Sequence, residues 1–329
     1  MNTISESEDD NIDGSLFQLN SLQDLLDLTK NFKTKHKENK DIEKLWKIRK
    51  SIERLNSMAG LDKLKNDILN QILYVCQNMH NDEMMHTALL GPPGVGKTTV
   101  AMLLAEIYTC LGILSKGTLT IVGRDQLVAE YLGQTAIKTK KVLNSALGGV
   151  LFIDEAYSLG NANSDSGRDS YSKECIDTIT KFLSEHTKDF VCIIAGYEHE
   201  VRSHFFDSNP GLDRRFPWKY KLDNYKPQEL VDIMVKQVKD NKWRIRHPKL
   251  HKYLEFIFRE NIHIFANNGG DTNNYLTCCK ICHAKRMFGK PRTWKRYLTK
   301  TDLKKGLEMF KVHRGHIKKD DKPPPSMYN

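Results

Sequence analysis

Gly91-Pro92-Pro93-Gly94-Val95-Gly96-Lys97-Thr98, continuing to Thr99, is the stretch on which the fold turns. It fits G-x-x-x-x-G-K-[ST] in full, with the apolar run Thr87–Leu90 before it and an amphipathic helical pattern, Thr98–Leu111, after it. Glycines let the loop bend tightly enough for successive backbone N–H groups to face phosphate oxygens. The helix that follows adds the positive end of its dipole. Lys97 would place a point charge on the β and γ phosphates, and the Thr98 hydroxyl would ligate Mg2+.

Downstream, Val150-Leu151-Phe152-Ile153-Asp154-Glu155 is an apolar run that ends in two carboxylates. At a strand tip beside the phosphate loop, Asp154 would hold the metal and Glu155 would orient or deprotonate water. The two motifs together specify a nucleotide hydrolase, with ATP and Mg2+ as the expected cofactors.

Further short apolar runs occur at Thr118–Val122, Phe190–Ala195 and Lys219–Leu222, separated by helical stretches at Ala136–Leu147 and Tyr171–Glu185. Such alternation predicts an α/β fold with a parallel five-stranded sheet flanked by helices. After Tyr225 the patterns Pro227–Asp240, Lys249–Phe265, Asp271–Met287 and Thr301–Val312 predict a smaller helical lid, with no central strand. Four segments result: an acidic, disordered head with a helical extension over 1–54, the nucleotide-binding domain over 55–225, the lid over 226–312 and a disordered tail over 313–329.

The 329 residues carry a net charge of +10, unevenly spread. Residues 241–329 hold 21 Lys+Arg against 7 Asp+Glu, net +14, which leaves −4 for residues 1–240. The basic, aromatic stretches Lys242-Trp243-Arg244-Ile245-Arg246 and Arg292-Thr293-Trp294-Lys295-Arg296 would suit nucleic acid as a partner. A solvated charged surface accounts for them equally well. No run reaches the roughly 18 apolar residues of a membrane span, and the acidic N-terminus does not resemble a signal peptide, so a cytoplasmic protein is expected. Seven cysteines without a secretory signal argue against a disulfide framework. Cys279-Lys280-Ile281-Cys282-His283 spells a haem-attachment pattern but falls inside a helical stretch, where thiols serve as small buried hydrophobes.

With both motifs in place, the chain over about 55–312 resembles the AAA+ group of red-type Rubisco activase (CbbX) and sporulation protein SpoVK, with related ATPases of large DNA viruses. The likeness is strongest in Arg124-Asp125-Gln126-Leu127-Val128, Tyr131-Leu132-Gly133-Gln134-Thr135-Ala136 and Gly148-Gly149-Val150-Leu151-Phe152-Ile153-Asp154-Glu155-Ala156-Tyr157.

The resemblance implies a homo-oligomeric ring, a hexamer, acting on a protein substrate through Tyr131-Leu132-Gly133 as a pore loop. A tyrosine packed at a helix junction is the alternative. It implies a second pore-facing loop over Gly160–Ser172, a γ-phosphate sensor segment at Ile194-Ala195-Gly196-Tyr197, and adenine packing by Met58-Ala59-Gly60-Leu61. Asn209-Pro210-Gly211-Leu212-Asp213-Arg214-Arg215-Phe216 matches the segment carrying arginine fingers, with Arg215 at the finger position and Arg214 beside it, unless both form local ion pairs. Relatives carry an arginine at the start of the third lid helix; Gly270-Asp271-Thr272-Asn273 here has none.

Overall fold

A computed structural model of the chain describes residues 19–30, 39–80, 83–131, 133–160, 170–246, 249–290 and 296–320, the last five as backbone helix alone. The acidic head up to residue 18, Leu132, most of the second loop (161–169), Arg292 to Lys295 and the tail from 321 lie outside the described residues.

Five parallel strands, β1 (Thr87–Leu90), β2 (Leu119–Val122), β3 (Val150–Ile153), β4 (Val191–Gly196) and β5 (Trp218–Lys221), form one sheet in the order β2-β3-β4-β1-β5. Register pairs Thr87 with Ile193 on one side and Trp218 on the other, and Val150 with Val191. Alternate residues enter two different cores. Ala88, Leu90, Leu151, Ile153, Cys192 and Ile194 face one cluster, and Leu89, Val150, Phe152, Val191, Ile193 and Ala195 face the other. Burial on both faces is why the three central strands read as unbroken apolar runs. The edge strand β5 keeps charge at Lys219 and Lys221, which pair with Asp213 and Glu198.

Among the longer helices, α1 (Leu22–Lys30), α2 (Lys40–Asn56), α3 (Asp62–Cys76) and α4 (Lys97–Cys110) lie on the face of Leu89 and Phe152. α1 packs on α2 and α2 on α4, so Leu25, Ile48, Ile52 and Leu55, all fully buried, share the core that supports the phosphate loop. α5 (Thr135–Ser145) and α6 (Ser170–Glu185) cover the opposite face.

The lid consists of α7 (Pro227–Asp240), α8 (Leu250–Glu260), α9 (Asn268–Met287) and α10 (Lys300–Asp320). It departs from the expected pattern in two ways. β6 (Arg244–Arg246) pairs in parallel with β7 (Tyr297–Thr299), a two-stranded sheet built on the Ile245–Leu298 pair, and α10 runs past Val312 to Asp320. Asp302 pins this sheet. It is buried, takes hydrogen bonds from Arg286 (2.8 and 2.9 Å) and from the Thr299 N–H (2.8 Å), and faces His283 at 3.3 Å. Burial alone would raise its pKa, but the donors from Arg286 and Thr299 together outweigh it and hold the carboxyl at about 2. Cys279 is fully buried at the contact with Gly306, and His283 is buried in the same layer. No described helix is long and apolar enough to cross a membrane.

Candidate active site

Strand order sets the geometry. The phosphate loop leaves the C-terminal tip of β1, Gly196-Tyr197 leaves the tip of β4 beside it, and Asp154-Glu155 leave the tip of β3 one strand further. Adjacent strands lie about 4.8 Å apart, so loop and carboxylates face each other across roughly 10 Å, room for a phosphate chain at the carboxyl end of a parallel sheet.

Gly91 is anchored by its N–H to the Gly196 carbonyl (2.9 Å). Gly94 (φ +70°) and Gly96 (φ +94°) take left-handed conformations that turn the loop back on itself. Among the described residues no hydrogen bond occupies the N–H groups of Gly94, Val95, Gly96, Lys97, Thr98 or Thr99. The Lys97 ammonium folds over its own loop, donating to the carbonyls of Gly91 and Pro92 (2.8 Å each). Burial pulls its pKa down, and the charges of Asp154 and Glu155 counter that. Six free donors and a cation satisfied only by neutral carbonyls are what a polyanion needs, so this cradle fits a nucleoside triphosphate.

At the tip of β3, Asp154 donates its N–H to the Val122 carbonyl (3.1 Å) and accepts from the Glu155 N–H (3.0 Å). Glu155 is exposed at φ +49°, strained for a residue with a side chain and of the kind found at working sites. Asp154 and the Thr98 hydroxyl are the oxygen donors available for a hard divalent ion.

Two aromatic rings complete the wall. Tyr197 lies 5.8 Å from the Lys97 ammonium and 6.1 Å from the ring of Tyr157. Burial pushes the Tyr157 hydroxyl up to about 12, assisted by the Glu155 charge and a hydrogen bond to it. A Cβ on Gly196 would come within 2.9 Å of the Tyr157 ring, which accounts for Gly-Tyr at this strand end. Tyr157 stands two residues after Glu155, and nothing in the sequence marks it as part of this wall.

Met58-Ala59-Gly60-Leu61 lies between the loop and the lid: the Met58 methyl approaches Gly96, and Gly60 abuts Glu229 of α7. The Lys65 ammonium ties the segment down through the carbonyls of Asn56 (3.2 Å) and Met58 (2.7 Å). The lid touches the loop through Asn268, whose amide donates to the Pro93 carbonyl (3.1 Å), rather than through Asn273, which is exposed.

Beyond the carboxylates a cleft of about 670 Å³ runs from Asp154 and Glu155 past Arg124 to Val128–Glu130. Arg124 donates to the Ser158 carbonyl (2.7 Å) and the Ser172 hydroxyl (2.6 Å), joining the turn after Glu155 to the base of the Tyr131 loop. Lys138 fixes that base through the carbonyls of Asp125 (2.6 Å) and Val128 (2.8 Å). Tyr131 itself is 67% exposed, not packed at a junction, and Gly133 follows it in open space.

Arg214 and Arg215 precede β5, at the opposite end of the parallel sheet from the phosphate loop, a strand length of roughly 13 Å away. Arg215 donates to the Ser184 hydroxyl (2.7 Å) and the Gly211 carbonyl (2.6 Å). Arg214 is exposed, with no hydrogen bond or ion pair among the described residues. In the lid, Trp243 packs edge-on to His283 (5.1 Å) beneath Lys280, and Arg244 rests on Tyr297, so the first basic, aromatic stretch is engaged in packing.

The AAA family, "ATPase family associated with various cellular activities", matches residues 87–209. A cfxQ-like protein of Acanthamoeba polyphaga mimivirus is 35% identical over 297 residues, covering 89% of this chain and 71% of that protein. Stage V sporulation protein K of Bacillus subtilis is 33% identical, covering 73% and 77% respectively. A chloroplastic ribulose bisphosphate carboxylase/oxygenase activase of Cyanidioschyzon merolae is 37% identical, covering 67% and 72%. The phosphate loop, the carboxylate pair and these relatives agree: the chain belongs to the AAA ATPase family, in the group of the cfxQ-like proteins.

Proposed function

We propose that this ATPase works as a homo-oligomeric ring, a hexamer, that uses Mg-ATP hydrolysis to remodel or thread a protein substrate. The observation that carries this reading is the exposed Tyr131, held out on a loop whose base shares a cleft with Asp154 and Glu155. An aromatic ring on a tethered loop can grip a polypeptide whatever its sequence. The activase relative also has a protein in its name as the thing activated.

Bound magnesium would neutralise charge on the β and γ phosphates, held by Asp154 and the Thr98 hydroxyl. On binding, the Lys97 ammonium exchanges two neutral carbonyls for phosphate oxygens, which add the attraction of opposite charges to the hydrogen bond. The free N–H groups from Gly94 to Thr99 bond the phosphate oxygens, while Met58–Leu61 lines the base. Glu155 accepts the proton of the attacking water as oxygen bonds the γ phosphorus and the bridging bond to ADP breaks. Arg214 and Arg215 lie too far from their own phosphate loop to help there. They serve the neighbouring subunit, where an arginine supplied in this way is worth ~10³–10⁵ in rate.

Turnover measured with unfolded polypeptide, DNA and RNA as stimulants tests the proposal. Polypeptide should stimulate, Tyr131→Ala should abolish that stimulation, and Glu155→Gln should retain ATP without turning it over. Stimulation by nucleic acid alone, persisting in Tyr131→Ala, would refute it.

A further inference from the structure

The contacts that seat the lid on the phosphate loop can be followed outward to the last helix. Gly269 donates its N–H to the Gly94 carbonyl (3.0 Å), and the Asn268 amide donates to the Pro93 carbonyl (3.1 Å). The Asn268 side-chain oxygen accepts from the Tyr225 N–H (3.0 Å), and the Tyr225 hydroxyl donates to the Val95 carbonyl (2.8 Å). Three consecutive carbonyls of the loop are thus read by the lid and the segment leading into it. Asn268 achieves this at φ +50°, buried, in a conformation that a non-glycine residue keeps only when its surroundings hold it there.

Asp271, one turn along α9, supplies that hold. Its carboxylate accepts the Asn267 N–H (2.7 Å) and pairs with the guanidinium of Arg314, which reaches over from α10 across the ring of Phe310. Asp271 is 1% exposed. A carboxylate so buried keeps its place only while a cation faces it. If Arg314 is removed, Asp271 turns toward water, its bond to Asn267 weakens, and Asn268 and Gly269 lose their position over the loop.

We infer that Arg314 is a positioning residue for nucleotide binding: through Asp271 and Asn267 it holds the start of α9 against the phosphate loop, so the C-terminal helix sets the affinity for ATP. The inference rests on the ATP-binding reading of that loop. It predicts an effect on capture of nucleotide and not on the chemical step, because Arg314 faces Asp271 and not the carboxylates of β3.

The test uses the full chain and compares the parent with Arg314→Gln, Arg314→Lys and the pair Asp271→Asn/Arg314→Gln. A fluorescent ATP analogue gives Kd, steady-state turnover gives KM and kcat, and thermal melting without nucleotide reports the fold. Arg314→Gln should raise Kd and KM about 10-fold with kcat within about 2-fold, equivalent to ~1.4 kcal/mol of binding free energy. Arg314→Lys should fall between, and the neutral pair should recover most of the affinity because no buried charge is left unpaired. Should Arg314→Gln not fold, Arg314→Lys carries the comparison. A folded Arg314 variant with the parent's Kd overturns the inference, as does a loss in kcat and melting temperature that KM does not share. A parent chain that takes up no ATP is a different result, since it removes the ATP-binding reading itself.

Discussion

Replacing Gly94 by alanine should cost nucleotide affinity through the lid. The residue sits at φ +70°, where a side chain is disfavoured by roughly 1 kcal/mol, a penalty borne by the loop itself. The larger effect is steric. A Cβ at Gly94 would stand 2.0 Å from the Asn267 carbonyl oxygen and 3.0 Å from the Gly270 nitrogen. Ordinary contact begins near 3.4 Å, so the turn entering α9 must withdraw by about 1.4 Å. The Gly269 N–H to Gly94 carbonyl bond, 3.0 Å in the seated lid, then exceeds hydrogen-bonding range, and the Asn268–Pro93 bond is stretched with it. Two net hydrogen bonds at about 1 kcal/mol each amount to ~2 kcal/mol against the seated lid, roughly 30-fold in its equilibrium. Apparent affinity falls in proportion to the competent population. Titration with a fluorescent ATP analogue should therefore show Gly94→Ala binding more weakly than the parent, by up to about 30-fold. Gly112→Ala is the control: Gly112 also lies in the left-handed region, at φ +82°, but its Cβ would meet nothing within 4 Å. That variant should lose about 1 kcal/mol of stability and keep its ATP affinity. Gly94→Ala binding ATP as tightly as the parent would refute the lid-seating explanation.

Two further outcomes follow from the same geometry. Mixing Lys97→Ala subunits with subunits carrying both Arg214→Ala and Arg215→Ala should restore turnover that neither has alone, since an intact phosphate loop then meets intact arginines; a mixture as inactive as its parts removes the arginine assignment. Separately, His86 is fully buried between the rings of Phe190 and Phe216, its Nδ1 accepting the Cys192 N–H (3.1 Å), and burial pushes its pKa from 6.5 down to about 4. A folded pKa below the unfolded one means the contribution to stability is complete above pH 6.5 and lost as pH falls toward 4, about 3 kcal/mol in all. Urea midpoints at pH 7.5 and 4.5 should differ more in the parent than in His86→Asn, whose amide oxygen can still accept from Cys192; equal differences would show that His86 is not the titrating group.

The sheet was legible because each central strand is buried on both faces and therefore stands out as an apolar run bounded by polar turns. The phosphate loop and the Asp154-Glu155 pair were legible because their chemistry needs particular residues at adjacent positions. The lid contact was hidden for the opposite reason. Asn268 meets Pro93 across 175 positions of sequence, and nothing local to either residue announces the other. β6 was hidden as well: Arg244-Ile245-Arg246 offers one apolar side chain, too short a pattern to separate a strand from a charged surface, and only pairing with Leu298 decides it. The neighbouring arginines Arg214 and Arg215 show a third limit. Their order in the motif says nothing about Ser184 and Gly211, which engage the guanidinium of Arg215 and leave that of Arg214 exposed.

The cations around the site differ in what holds them, and that difference orders the binding event. Lys97 is bonded to two neutral carbonyls, which a phosphate oxygen displaces by adding the attraction of opposite charges. Arg314 is bonded to a buried carboxylate that would be left uncompensated if it moved, so incoming phosphate cannot draw it away at comparable cost. Arg215 is tied to neutral oxygens, as Lys97 is, but at the far end of the sheet. Phosphate binding as proposed would move Lys97 and leave the start of α9 in place.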